Sequence, residues 1–319
     1  MHNSSESPLN MTKFRNWLSA LTAADAATVF FLTILSIVNL IFASRVEQWA
    51  GLILLNCALT SGIIFAANRS LHSSSTKLQF IHDWYLVAMV LFIFKETYWM
   101  VHPIHPYDYD WLLIKIDRTL FGVDPTRWLE QWASPLVTEI LQISYTSYYF
   151  ILLSVFTELY LEKRRTEFLS AGFFIVYGFY LSYIGYFLLP AVGPRFALYN
   201  FSSLNHDLPG LFLTNFLRDF VNTGESISKG MANAVAFAQR DVFPSGHTQL
   251  TLIALYLAFH FRLHVRWVLL ALGSLLIIST VYLRYHYGVD VLAGVLFFLF
   301  TIWSAKKLES WWETKKEML

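Results

Sequence analysis

The chain has 319 residues, 56% of them hydrophobic and only 14% charged, with 28 Phe, 17 Tyr and 11 Trp. A soluble domain carries about 25% charged residues, so this composition excludes a water-soluble globule and calls for a bilayer as solvent. The net charge of +1 leaves no basic surface for nucleic acid, and a single cysteine, Cys57, excludes an internal disulfide and reads as a buried structural thiol.

From the N-terminus, residues 1–25 are polar, rich in Ser and Asn, and read as a tail. Eight apolar stretches follow, at about residues 26–43, 50–67, 84–101, 140–161, 168–189, 247–261, 267–283 and 289–305, each near the length that crosses about 30 Å of hydrocarbon. Trp84, Tyr85, Trp99, Tyr160, Trp267 and Trp303 sit near stretch ends, where amphipathic rings favour the headgroup zone. Residues 306–319 form a basic C-terminal tail. The expected fold is all-α: a polytopic membrane bundle of about eight helices, residues 26–305 forming one domain.

Lysine and arginine set the orientation. One side carries Arg69, Lys77, the cluster Lys163-Arg164-Arg165, Arg262, Arg266, Lys306, Lys307, Lys315 and Lys316, and is read as cytoplasmic. The long connections 102–139 and 190–246, and the short turn 284–288, then face the opposite side. Within those connections Leu112, Leu113, Ile116, Leu120 and Phe121 recur at helical spacing, as do apolar residues in 211–221, so both segments read as helices lying on the membrane surface. Lys95 and Glu96 fall inside the third stretch and must face protein or water. His102, His105, Asp108 and Asp110 lie in a Pro-rich loop, a poor preorganised metal site.

The chemistry-bearing residues collect on that second side, in three segments. Residues 189–195 (LPAVGPR) leave the fifth stretch, residues 241–248 (DVFPSGHT) enter the sixth, and residues 284–294 (RYHYGVDVLAG) join the seventh to the eighth. Pro244-Ser245-Gly246 reads as a turn into a helix, where free N–H groups and the helix dipole favour an anion such as phosphate. His247 in the first helical turn can give or take a proton near neutrality. His286 and Asp290 are four apart, so on one helix the carboxylate can hold one ring nitrogen and leave the other as a nucleophile. Arg195 and Arg284 offer forked donors to phosphate oxygens. Each motif alone is compatible with a helix cap; both on one face, with arginines nearby, point to phosphoryl chemistry.

These segments resemble the type 2 phosphatidic acid phosphatase superfamily, whose second motif is Pro-Ser-Gly-His and whose third ends in His-x-x-x-Asp. Residues 286–294 (HYGVDVLAG), 116–125 (IDRTLFGVDP) and 142–148 (QISYTSY) resemble more closely its inositol phosphorylceramide synthase-like branch, the resemblance covering about residues 80–305. It implies a catalytic six-helix core in which His286 attacks phosphorus, His247 protonates the leaving oxygen and Asp290 orients His286. Ser245, Gly246 and basic residues would hold phosphate. The sequence departs from the superfamily at Thr280, where an arginine is usual, and lacks its first motif, for which Gly193-Pro194-Arg195 stands as a substitute.

The expected function is a membrane lipid phosphatase or phosphotransferase acting through a phosphohistidine, on a lipid substrate, with no metal ion and no cofactor. The alternative on the same fold is a protein that binds or moves an anionic lipid without chemistry, which would need basic residues but no aligned nucleophile.

Overall fold

The computed structural model describes residues 19–73, 75–231 and 233–318; most of the polar N-terminal tail lies outside them. The described residues form helices joined by irregular connections, with no strand among them. Twelve helices carry the architecture: α1 (Ala23–Ile41), α2 (Trp49–His72), α3 (Thr76–Ile104), α4 (Asp110–Phe121), α5 (Pro125–Glu130), α6 (Pro135–Thr146), α7 (Tyr148–Leu161), α8 (Arg165–Leu188), α9 (Thr214–Gly224), α10 (Gly246–His260), α11 (Arg266–Tyr282) and α12 (Gly288–Glu317).

Every expected apolar stretch is helical, but the helices differ in what they can span. Five of them, α1, α2, α3, α8 and α12, are long and apolar enough to cross a membrane, and α6 with α7 makes a sixth if the pair, bent by 44° at a short break, is one span. The sixth and seventh stretches form α10, of 15 residues, and α11, of 17; at about 1.5 Å per residue these fall short of 30 Å. The basic segment after residue 305 is not a separate tail: it continues α12, which contains no Gly or Pro after Gly294, and Trp312 donates from Nε1 to the carbonyl of Leu21 at 3.0 Å.

In lipid, apolar contact between helices gains little, so close packing and polar contacts hold a bundle together. Two buried carboxylates attach the N-terminal helices. Thr22 and Asp25 form a capping box that starts α1, and Asp25 also accepts from Tyr85 at 2.7 Å and from His82 at 3.1 Å on α3. Glu96 accepts from Asn39 of α1 at 3.2 Å and Asn56 of α2 at 2.8 Å, so this intramembrane acid faces protein. Its neighbour Lys95 points the other way, donating to the Gly224 carbonyl at 2.6 Å and Ser226 Oγ at 3.0 Å.

The core behind the site is α8, α10 and α12. Gln249 of α10 joins all three: its amide nitrogen donates to the Gly178 carbonyl and to Thr301 Oγ1, both at 3.0 Å, while its oxygen accepts from Ser182. Gly178 permits the approach of α8 to α10, since a Cβ there would stand 2.5 Å from Ile253 Cδ1. Cys57 is exposed on α2, which corrects the expectation of a buried thiol: its helix face is turned outward from the bundle, where an apolar neighbourhood meets lipid rather than core.

Orientation can be tested at residues the fold leaves accessible. Lys163 lies between α7 and α8, Phe212 is exposed beyond the far end of α8, and α8 is about 36 Å long at 1.5 Å per residue. In a Cys57→Ala background, an impermeant thiol reagent applied to intact cells should label Phe212→Cys and spare Lys163→Cys. The reverse pattern would invert the topology.

Candidate active site

The site lies where α8, α10, α11 and α12 end or begin at one pole of the bundle. At the end of α11, Arg284 adopts a left-handed conformation (φ 67°), and the N–H groups of Tyr285 and His286 both donate to the Thr280 carbonyl, at 3.0 and 2.9 Å. Thr280 thus positions the histidine through its backbone. Opposite, Ser245 caps α10 by accepting from the Thr248 N–H at 3.2 Å, and its own N–H donates to the Asp290 carbonyl at 3.0 Å. Gly294 is needed for that approach, because a Cβ there would lie 2.7 Å from the Ser245 carbonyl oxygen. The third segment docks by the Arg195 N–H donating to the Arg284 carbonyl at 2.9 Å. At Gly193 (φ 92°) a Cβ would meet the Tyr285 carbonyl at 2.7 Å.

The two histidines face each other, His286 Nε2 standing 3.5 Å from His247 Nδ1. His286 Nδ1 lies 2.9 Å from the Val242 carbonyl oxygen, which can only accept, so Nδ1 carries the proton. In the neutral ring Nε2 then carries the lone pair, which is directed toward His247 Nδ1. Burial pushes the His286 imidazole down to about 4, which keeps it neutral at ordinary pH.

His247 is held between aromatic rings. Tyr145 stacks on it at 4.6 Å between centroids, Tyr148 lies 4.5 Å away, and Tyr145 also stacks on Tyr285 at 4.3 Å. Among the described residues, neither the Gly246 nor the His247 N–H meets a protein acceptor. These two amides at the start of α10 remain for an anion. An apolar cavity of about 210 Å³ between α3, α7 and α8 ends on Gly246, His247 and Asp241.

Asp290 and Arg284 are placed differently from expectation. Since α12 begins at Gly288, His286 precedes the helix and does not share a helical face with Asp290. The carboxylate turns back to accept the Tyr287 N–H at 2.7 Å and stands 3.6 Å from His286 Nδ1, while the Val242 carbonyl takes the ring hydrogen bond. Arg284 is not brought to the histidines. Its guanidinium is engaged by Glu130 and Asp207, each at 3.0 Å, and lies 3.6 Å from the centre of the Tyr199 ring.

Arg195 is buried, 4.6 Å from the centre of the Tyr285 ring, and paired with Glu225 and with Asn222 at 3.1 Å. Its Nε has no partner among the described residues. Burial, and then the Glu225 carboxylate, push the Asp241 carboxyl up to about 7. The sequence reading passed over Glu225 and the carbonyl of Val242. Nothing local marks them: one lies in an irregular loop, and the other contributes only a main-chain atom.

Asp110 and Asp117 were also missed as site residues. Asp110 accepts the N–H groups of Val192 and Gly193, at 3.0 and 2.8 Å, and the Tyr287 hydroxyl at 2.7 Å. Asp117 accepts those of Gly288 and Val289, at 2.8 and 2.7 Å, and so caps α12. The loop containing His102, His105, Asp108 and Asp110 forms no ligand cluster. Among the described residues, three potential ligand groups come within reach of one ion at Glu158, Glu162 and His264, between the ends of α7 and α10, away from the histidines.

Residues 111–304, more than half of the chain, match the family model described as PAP2 superfamily, and this stretch contains both histidines and all three converging segments. The chain belongs to the PAP2 superfamily. A similar protein is a PA-phosphatase related-family protein of Dictyostelium discoideum, 29% identical over 206 residues, which are 56% of this chain and 33% of that protein. The chain therefore matches only about a third of that relative's length. No solved structure matches. In this PAP2 superfamily member the helices before α4 lie outside the family match, and the bonds of Asp25 and Glu96 join them to one another through α3.

The capping carboxylate of Asp117 gives a stability prediction. Asp117→Leu leaves two N–H groups unpaired, that of Gly288 buried and that of Val289 partly buried, the buried one costing about 1–3 kcal/mol, and should lower the melting temperature of the detergent-solubilised protein together with any activity. Asp117→Asn keeps one acceptor oxygen and should recover part of both. Equal melting of wild type and Asp117→Leu would show that these N–H groups find other partners.

Proposed function

We propose that this protein is a membrane lipid phosphatase or phosphotransferase that forms a phosphohistidine on His286. The observation that carries the reading is the pairing of an unprotonated, inward-directed Nε2 with the polar end of an apolar cavity. An acyl or prenyl chain fits the cavity walls, and its phosphate then falls beside His247 and the free amides of Gly246 and His247.

His286 Nε2 attacks phosphorus, forming the P–N bond as the bond to the leaving oxygen breaks. His247 gives that oxygen its proton. In the second step water or an alcohol attacks the phosphohistidine, its proton passes to His247, and the P–N bond breaks. Arg195 and the two amides stabilise the developing charge, and Ser245 holds the turn that presents them. Asp290 acts through the Tyr287 turn that presents His286. No step calls on a metal ion or cofactor. The catalytic residues in this reading are His286 and His247. The branch resemblance of residues 286–294 favours transfer to an alcohol alongside hydrolysis. The non-catalytic alternative gains less, since binding an anion alone does not require two histidines facing each other at 3.5 Å.

With a phosphorus-32-labelled lipid phosphate, His286→Ala should lose turnover by several orders of magnitude, the scale seen when a covalent nucleophile is removed. His247→Ala should lose about 10²–10⁴-fold, the usual worth of acid–base catalysis, and with an activated leaving group should accumulate acid-labile, base-stable label. Full turnover by His286→Ala would reject the mechanism.

The acid limb of the loading step follows from His286. The neutral ring is the nucleophile and its pKa is lowered to about 4, so loading persists below the ordinary imidazole value and falls only as pH drops through about 4. A single-turnover pH profile breaking near 6.5 instead would assign that limb to another group.

A further inference from the structure

Three helices ahead of the family match come together at the pole of the histidines. There α1 ends, α2 begins and α3 ends, and the chain just past α3 is tied to the 190–195 segment by the Tyr109 N–H, which donates to the Pro190 carbonyl at 2.8 Å. Within about two turns of those helix ends lie Asn39 of α1, Asn56 of α2 and Glu96 of α3, each at most 2% exposed. None belongs to the segments around the histidines.

Both amide nitrogens donate to one carboxylate oxygen, Glu96 Oε1, that of Asn39 at 3.2 Å and that of Asn56 at 2.8 Å. Three oxygens are then left buried with no donor among the described residues: Glu96 Oε2, Asn39 Oδ1 and Asn56 Oδ1. Buried polar atoms are as a rule paired, so three acceptors in one cluster point to a ligand that gives only to oxygen. The neighbouring cations are committed elsewhere. Lys95 turns to the Gly224 carbonyl and Ser226, Arg45 donates to the Ile104 carbonyl at 3.0 Å, and among the described residues no charged side chain bears on Glu96.

A carboxylate without a counter-charge is expensive at membrane depth, so Glu96 is neutralised by what it binds. A proton supplies one donor, which one amide oxygen can accept while the other stays unpaired. A metal cation serves all three oxygens at once. Turning either amide about its Cβ–Cγ bond, moreover, puts its oxygen where its nitrogen stands, 2.8 or 3.2 Å from Glu96 Oε1, so both side chains can face a cation with oxygen. The charge count selects the valence. One carboxylate balances a monovalent ion, whereas a divalent ion would keep a net positive charge in the membrane, and calcium takes about six to eight oxygens.

We propose that Asn39, Asn56 and Glu96 bind a small alkali-metal cation that joins α1 and α2 to α3. The site stands apart from the phosphohistidine reading and does not rest on it.

Sodium is the probe. In detergent at fixed pH and equal ionic strength, the melting temperature of the whole protein should rise as sodium chloride replaces choline chloride, whose cation is too large for a buried cluster. Above half-saturation it should keep rising with the logarithm of sodium concentration. Glu96→Gln keeps the shape and removes the charge, so its melting should not respond to sodium.

Equilibrium dialysis with sodium-22 reads the same site without unfolding. The wild type should bind a single ion per chain, and Glu96→Gln should bind it at least about tenfold more weakly, the loss that removal of even a supporting group brings in metal sites. If Glu96→Gln does not fold, Asn56→Leu, which removes one of the oxygens, should weaken the binding in its place. Equal melting in sodium and choline, melting that follows pH alone, or sodium-22 binding that Glu96→Gln leaves unchanged would overturn the proposal.

Discussion

Buried backbone N–H groups without partners cost about 1–3 kcal/mol each, and at membrane depth no bulk water supplies acceptors. The site of this protein is built from irregular chain between helix ends, so it depends on carboxylates placed to accept those N–H groups. Asp110 takes two from the 190–195 segment and Asp117 two from the start of α12. Asp290 takes the N–H of Tyr287, between His286 and the helix. Each lies on a different stretch of chain from, or looks back upon, the loop it stabilises. Together they join α4, the 190–195 segment and α12, and the position of His286 follows from that junction.

Backbone contacts also explain how the two histidines come to share a tautomer-defined geometry. The Val242 carbonyl reaches His286 Nδ1 because Ser245 is tied by its N–H to Asp290, which brings the entry to α10 against the start of α12. The small residue Gly294 permits that contact. A main-chain acceptor is less easily displaced than a side chain, since moving it means moving the whole turn. The aromatic stack of Tyr145, His247 and Tyr285 restricts the second ring in the same way.

The electrostatics around the histidines link their pole of the bundle to the N-terminal helices. Lys95 of α3 holds Gly224 and Ser226, the neighbours of Glu225, and Glu225 holds Arg195. The intramembrane lysine is thus joined by two contacts to the buried arginine at the site, although α3 precedes the part of the chain that matches the family. Its neighbour Glu96 joins α1 and α2 to the same helix from the opposite face.

Much of this protein is legible from its residues alone. Membrane class and helical fold follow from composition and from apolar run length, which are local properties, and the two histidine motifs follow from side-chain types at short spacing. The sequence alone also singled out Arg195, Ser245 and Gly246, which the fold gathers with His247 at one pole. What it did not determine were relations that depend on where helices start and where remote segments dock. The spacing of His286 and Asp290 suggested a shared helical face, but α12 begins two residues after His286, so the carboxylate caps a turn and a carbonyl from residue 242 orients the ring. Arg284 carries the right chemistry for phosphate, yet its left-handed backbone and the carboxylates of Glu130 and Asp207 commit it elsewhere. Both outcomes are long-range: the partners lie tens to more than a hundred residues away in sequence, and only packing brings them within 3 Å.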